Sequence, residues 1–240
     1  MKKILLFTFA AFCNCIVFSQ NKNTPTVIYC IPGQGADHRL FNHFDLGKDY
    51  ELRFIEYKIP KRKEKMGDYA RRLATQIDTT QPYILIGTSL GGMLATEMND
   101  FLHPQKTIII SSAKCRRELP FRYRFQRSIP LYRLVPKGLM KFGARVLQPI
   151  VEPDRKHEKA TFKSMLNDKD KTFMKRSVGM IINWKRDTYS TDIVHIHGNK
   201  DKTIPIRNVK YDYLVRDGSH MVTLTRGKEV SDIILGILNE

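Results

Sequence analysis

Apolar residues in this chain follow two alternating rhythms. Short runs rich in β-branched and aliphatic residues read as six strands: Thr26-Val-Ile-Tyr-Cys-Ile31, Glu51-Leu-Arg-Phe-Ile55, Tyr83-Ile-Leu-Ile86, Thr107-Ile-Ile-Ile110, Ile193-Val-His-Ile-His197 and Tyr211-Asp-Tyr-Leu-Val215. Several of them are apolar at successive positions. A strand needs this when both of its faces are covered, as inside a parallel sheet flanked by helices. Between the strands the spacing changes to helical, with Tyr69, Leu73 and Ile77 at four-residue steps within Asp68 to Ile77, and similar patterns over Leu90 to Phe101 and Lys228 to Leu238. Alternating strands and helices imply right-handed βαβ crossovers. The expected class is α/β, a mostly parallel sheet of about six strands with helices on both faces.

Two stretches break the rhythm. Residues 1–19 open with Met1-Lys2-Lys3, continue almost wholly apolar from Ile4 to Phe18, and end at Ser19. That is the layout of a cleavable signal peptide, and the run is shorter than the roughly 20 apolar residues of a spanning helix. The chain is therefore expected to be exported, periplasmic or secreted, with its mature domain over residues 20–240. The second break covers residues 115–190, where no strand pattern occurs. Basic amphipathic segments appear instead around Phe121 to Leu134, His157 to Leu166 and Lys171 to Trp184, and read as a helical insertion lying over the strand ends.

Charge changes the picture of that insertion. The chain carries a net charge of +17, and the stretch from Lys114 to Ser190 holds 20 Lys and Arg against 7 Asp and Glu. Such a surface attracts polyanions. No helix-turn-helix, zinc finger or RNA-binding signature accompanies the charge, so nucleic acid is not an expected partner. A solvated basic face near anionic membrane surfaces is the reading, with Arg116, Arg117, Arg122, Arg124 and Arg127 as a cationic rim for an anionic ester or a lipid headgroup. The aromatics Phe121, Tyr123, Phe125, Tyr132, Phe142, Phe162, Phe173 and Trp184 read as packing residues. Cys30 and Cys115, at strand ends, either pair or stand as two half-buried thiols. No CxxC or Cys/His cluster points to a metal, and nothing calls for a cofactor.

The candidate chemistry begins at Gly87-Thr88-Ser89-Leu90-Gly91, a G-x-S-x-G sequence set between a predicted strand and a predicted helix. A sharp strand-to-helix turn lifts the serine hydroxyl into the open, and the helix start favours developing negative charge. A serine needs a base to become a nucleophile. His220, in Asp217-Gly-Ser-His220 after the last strand, is the candidate; His38 and His43 are placed to line a pocket, and His195 and His197 read as structural. The imidazole needs a carboxylate to fix its tautomer, and Asp201 after the next-to-last strand emerges at the matching sheet edge, with Asp192 and Asp217 as runners-up. Two amides must face the oxyanion. Leu90 N–H, directly after the nucleophile, and Gln34 N–H, in the loop Ile31-Pro-Gly-Gln-Gly-Ala-Asp37, are the choices.

On these residues the chain resembles the α/β-hydrolase superfamily over its whole mature length, and most of all its compact, lid-bearing esterase- and thioesterase-like members. The resemblance rests on the Ile31 to Asp37 loop, Gly87-Thr-Ser-Leu-Gly-Gly92, His197-Gly-Asn-Lys-Asp201 and Asp217-Gly-Ser-His220. It implies that residues 115–190 form a lid, and that two antiparallel strands of an eight-stranded pattern are missing. The loop Pro32-Gly-Gln-Gly departs from the His-Gly form common in the superfamily. The expected activity is cleavage of a carboxylic ester or thioester of a small-molecule acyl substrate, anionic in one version, through a Ser89–His220–Asp201 triad and an acyl-enzyme. The alternatives are a non-catalytic protein of the same fold that binds an anionic ligand or partner, and an acyltransferase.

Overall fold

The computed structural model describes residues 24–139, 142, 143, 146 and 158–240. The expected leader, residues 1–19, lies outside the described residues, as does part of the 115–190 insertion. Six strands form one sheet: β1 (Thr26–Ile31), β2 (Tyr50–Phe54), β3 (Tyr83–Thr88), β4 (Lys106–Ile110), β5 (Ile193–Gly198) and β6 (Tyr213–Val215). Every pairing is parallel, in the spatial order β2-β1-β3-β4-β5-β6. The last strand starts two residues later than its apolar pattern suggests. Asp212 accounts for this: its carboxylate Oδ2 accepts the His195 N–H at 2.7 Å, where a strand neighbour would offer a carbonyl.

Period-two alternation sorts each strand's side chains to two faces. Tyr29, Ile31, Leu85 and Ile109 pack with α1 (Met66–Ala74) and α2 (Leu90–Met98), whereas Ile28, Cys30, Ile86, Ile108 and Ile196 pack against the C-terminal helix Gly227–Leu238. Both faces are thus buried, which is why the strands are apolar at successive positions. Cys30 lies on β1, whereas Cys115 lies five residues past the end of β4, and β3 separates those two strands in the sheet. Cys30 and Cys115 are both free and buried, and burial pushes the Cys30 thiol well above its ordinary range.

Between β4 and β5 the described residues hold no strand. They contribute α3 (Phe121–Phe125), α4 (Lys159–Asp168) and α5 (Lys171–Ile182). Asp170 starts α5 by accepting the Thr172 and Phe173 amides, a side-chain cap that satisfies two otherwise orphaned donors. Phe173, Met174, Met180 and Ile181 of α5 join the α1–α2 core, while Phe162 and Met165 of α4 join the opposite one. Fully burying a Phe or Met side chain is worth about 1.5–3 kcal/mol, so both helices are fastened to the domain. After β6 come α6 (Val222–Thr225) and α7 (Gly227–Leu238).

Chain connectivity leaves β1 toward β2 on one side and returns to β3 on the other. The loops after β1 and β3 therefore diverge, and open sheets hold their ligands in the crevice at such a switch point.

Candidate active site

Ser89 stands at that crevice. It follows β3 directly and precedes α2, with φ 54° and ψ −117°, a left-handed conformation that costs a serine free energy. The neighbouring strand holds it there. Ser89 N–H donates to the Ile110 carbonyl at 2.9 Å, and the Ser89 carbonyl accepts from Ser112 Oγ at 2.6 Å. Glycine is required on both sides because the turn is crowded: a Cβ at Gly91 would strike the Ile31 and Pro32 carbonyls, and one at Gly87 would strike the Gly91 backbone. The motif spacing is therefore a packing constraint between β1, β3 and α2.

The last two strands deliver the rest. His220 lies past the Asp217-Gly218 turn that follows β6, and its Nε2 is 2.8 Å from Ser89 Oγ. Its Nδ1 is 2.8 Å from Asp201 Oδ2, in the loop after β5. Asp201 is 4% exposed, and its other oxygen, Oδ1, accepts the Thr203 and Ile204 amides at 2.7 and 2.8 Å. A buried carboxylate held by two amides is an acceptor at both oxygens, so His220 carries its proton on Nδ1. Nε2 is then left as the acceptor for the Ser89 hydroxyl.

The two expected oxyanion residues flank this serine. Leu90 is the first residue of α2, where N–H groups have no intrahelical partner. Gln34 follows Gly33, whose position is so close to Ser89 that an added Cβ would lie 3.3 Å from the serine Cβ. The Gln34 side chain has a role that sequence reasoning missed. Its Nε2 donates to Met174 O at 3.1 Å and Ser177 Oγ at 2.7 Å, and so ties the loop to α5. On the far side Tyr57 donates its hydroxyl hydrogen to the Pro32 carbonyl.

The other candidates are elsewhere. Asp192 sits at the start of β5, at the opposite sheet edge, and accepts from Ser190 Oγ. Asp217 is exposed and pairs with Lys200 at 2.8 Å. His38 lines a neighbouring cleft of about 510 Å³ with Pro32, Phe54, Tyr57 and Phe173, while His43 Nε2 lies 2.6 Å from Glu158 Oε1. Arginines expected on a rim are largely occupied: Arg116 donates to the Ile182 and Trp184 carbonyls, Arg117 to the Asp187 carbonyl, and Arg122 to those of Lys202 and Thr203, beside Asp201. Of the aromatics expected to pack, Phe162, Phe173 and Trp184 are buried, but Phe121, Phe125 and Phe142 are exposed.

Behind Asp201 lie His195 and His197, both 0% exposed. Their spacing of two along β5 puts them on one face, the available clue that they share a network. Their outer nitrogens lie 2.9 Å from the Lys210 and Ile204 carbonyls, the inner ones face each other at 3.1 Å, and His197 Nε2 is 3.4 Å from Asp201 Oδ2. Burial drives His195 well below its usual range and also lowers His197, against the pull of Asp201. A histidine whose folded pKa is depressed adds stability that is complete above the unfolded value of about 6.5 and is lost as pH falls below it. Urea midpoints should therefore drop between about pH 7 and about pH 5, with a shallower drop in His195→Leu; identical slopes would refute this origin.

With this geometry established, comparison with known proteins is informative. Residues 46–118, from before β2 to past β4 and including Ser89, match the model of an uncharacterised protein family, UPF0227. No curated protein sequence matches the chain. Among solved structures, a thermophilic esterase from Thermogutta terrifontis superposes with a TM-score of 0.65 at 15% identity, with 90% of each chain covered. The enol-lactonase from Burkholderia xenovorans LB400 gives 0.67 at 12%, covering 92% of this chain and 94% of its own. The esterase EaEST from Exiguobacterium antarcticum gives 0.63 at 12%, with 90% and 93% covered. Likeness of this extent at such low identity is likeness of fold: the chain has the α/β-hydrolase fold.

Proposed function

We propose that this chain is a serine hydrolase that cleaves carboxylic esters through an acyl-enzyme. The observation that carries the reading is the continuous hydrogen-bonded series Ser89 Oγ, His220, Asp201, with both links at 2.8 Å, on a strained strand-to-helix turn. That the structural neighbours include esterases and an enol-lactonase supports it. In the first step Ser89 Oγ attacks the ester carbonyl as its proton passes to His220 Nε2. The imidazolium is stabilised by Asp201, and the oxyanion is met by the Leu90 and Gln34 amides. His220 then protonates the departing alkoxide. In the second step it takes a proton from water, whose oxygen attacks the acyl carbon, and passes that proton to Ser89 Oγ as the acid leaves.

A fluorophosphonate probe tests the first step without knowledge of the substrate. Ser89 attack on phosphorus, with loss of fluoride, should leave one adduct on the peptide that contains Ser89, and Ser89→Ala should take up none. A folded wild-type sample that stays unlabelled would instead favour a non-catalytic, ligand-binding role for the same cavity.

A further inference from the structure

Eight of the eleven large hydrophobic side chains exposed among the described residues lie in one stretch, between Phe121 and Val146. Leu134 is 81% exposed and Phe121 68%, with Phe125, Leu131, Leu139 and Phe142 all at 40% or more. Single exposed hydrophobics are ordinary, but here Phe121, Phe125 and Leu131 share one groove and the others follow closely along the chain, a concentration that marks a surface that meets something apolar. Between Phe121 and Leu139 the chain also carries Arg122, Arg124, Arg127, Arg133 and Lys137 and no acidic residue. None of these five forms an ion pair with a described residue. Arg124 and Arg127 are exposed, and their guanidinium groups make no hydrogen bond to a described residue.

We infer that this face docks on the surface of an anionic lipid bilayer, with the apolar side chains entering the headgroup layer and the arginines meeting phosphates. Charge complementarity selects this occupant. A nucleic acid would account for the cations but has no use for protruding Leu134 and Leu139, whereas a bilayer interface takes up both kinds of side chain at once. The patch adjoins the site. A groove of about 510 Å³ runs through it, lined by Phe121, Phe125, Leu131 and Val178, and the last of these follows Ser177, which receives Gln34. Arg122 in turn grips the carbonyls that follow Asp201. Docking would therefore hold the Ser89 crevice beside the membrane. The inference does not depend on catalysis, because binding is read without turnover.

Co-sedimentation with vesicles provides the test. Wild type should sediment with vesicles of equal phosphatidylglycerol and phosphatidylcholine in about 0.1 M salt, and much less with pure phosphatidylcholine or in about 0.5 M salt, where screening shortens to a few ångströms. Each basic side chain near an anionic surface strengthens partitioning about fivefold, so R124Q/R127Q together should weaken it about 25-fold. Leu134→Ser should weaken it about tenfold. Both variants replace exposed side chains, and their melting temperatures should match wild type. The inference is overturned if wild type ignores anionic vesicles at low salt, or if the variants bind as wild type does. It is equally overturned if light scattering shows a dimer that Leu134→Ser separates, since a second copy would then cover the patch.

Discussion

Replacing Ser89 by alanine should lower kcat for any ester the protein turns over by about 10⁶-fold, and replacing His220 by alanine should do about the same, yet the double variant should lose scarcely more than either. The reason is the serial wiring. At 2.8 Å from Nε2 the hydroxyl depends on the imidazole to accept its proton, and without the hydroxyl the imidazole has no nucleophile on which an acyl-enzyme could form. Removing either member leaves whatever the Leu90 and Gln34 amides and the crevice supply. Steady-state kinetics on the three variants form the test, and additive losses would mean that the two side chains act in separate steps. Stability should change little for Ser89→Ala, since alanine inherits the same φ of 54°. A variant that unfolds would therefore point to a structural role for the hydroxyl.

Most of the frame was legible because burial on both faces leaves a plain mark in a sequence. The runs at Thr26, Tyr83, Thr107 and Ile193 carry apolar residues at successive positions, as a helix-covered parallel sheet demands. Order along the chain then did the rest. Ser89, Asp201 and His220 each follow a different strand, and parallel strands deliver their following loops to one edge. What could not be read were decisions made by neighbours. Helical spacing shows that Phe121 to Leu134 has an apolar side, but it does not show whether that side finds a core, and in the structure Phe121 and Phe125 remain exposed while Phe162 and Phe173 are buried. Arginines gave the same difficulty. Composition predicts a cationic rim, whereas Arg116 and Arg122 are spent on backbone carbonyls, a use that depends on loops brought close only by folding.

The insertion is consequently two things at once. Its second half, α4 and α5, belongs to the core through Phe162, Met165, Phe173 and Met174, and reaches the site through Ser177 and Gln34. Among the described residues of its first half, one arginine covers the acid loop, and Phe121, Phe125, Leu131 and Leu134 are exposed.

Asp201→Asn separates geometry from proton logic more sharply than any deletion. In the wild type Oδ1 is pinned by the Thr203 and Ile204 amides, so the only atom available to His220 is Oδ2. In the variant the carboxamide oxygen must keep the two amides, since reversing the group would aim its NH₂ at two N–H donors. The NH₂ is then left facing His220 Nδ1. Two donors cannot share that contact, so the imidazole moves its proton to Nε2, and the face that Ser89 needs as an acceptor becomes a donor. A loss of about 10⁴-fold in kcat is expected, with melting temperature nearly preserved because size, burial and the Oδ1 bonds are unchanged. Asp201→Ala should destabilise instead, by about 1–3 kcal/mol for each orphaned amide. If Asp201→Asn turned over at the wild-type rate around neutrality, with the fold intact, the carboxylate would have no part in setting the tautomer of His220.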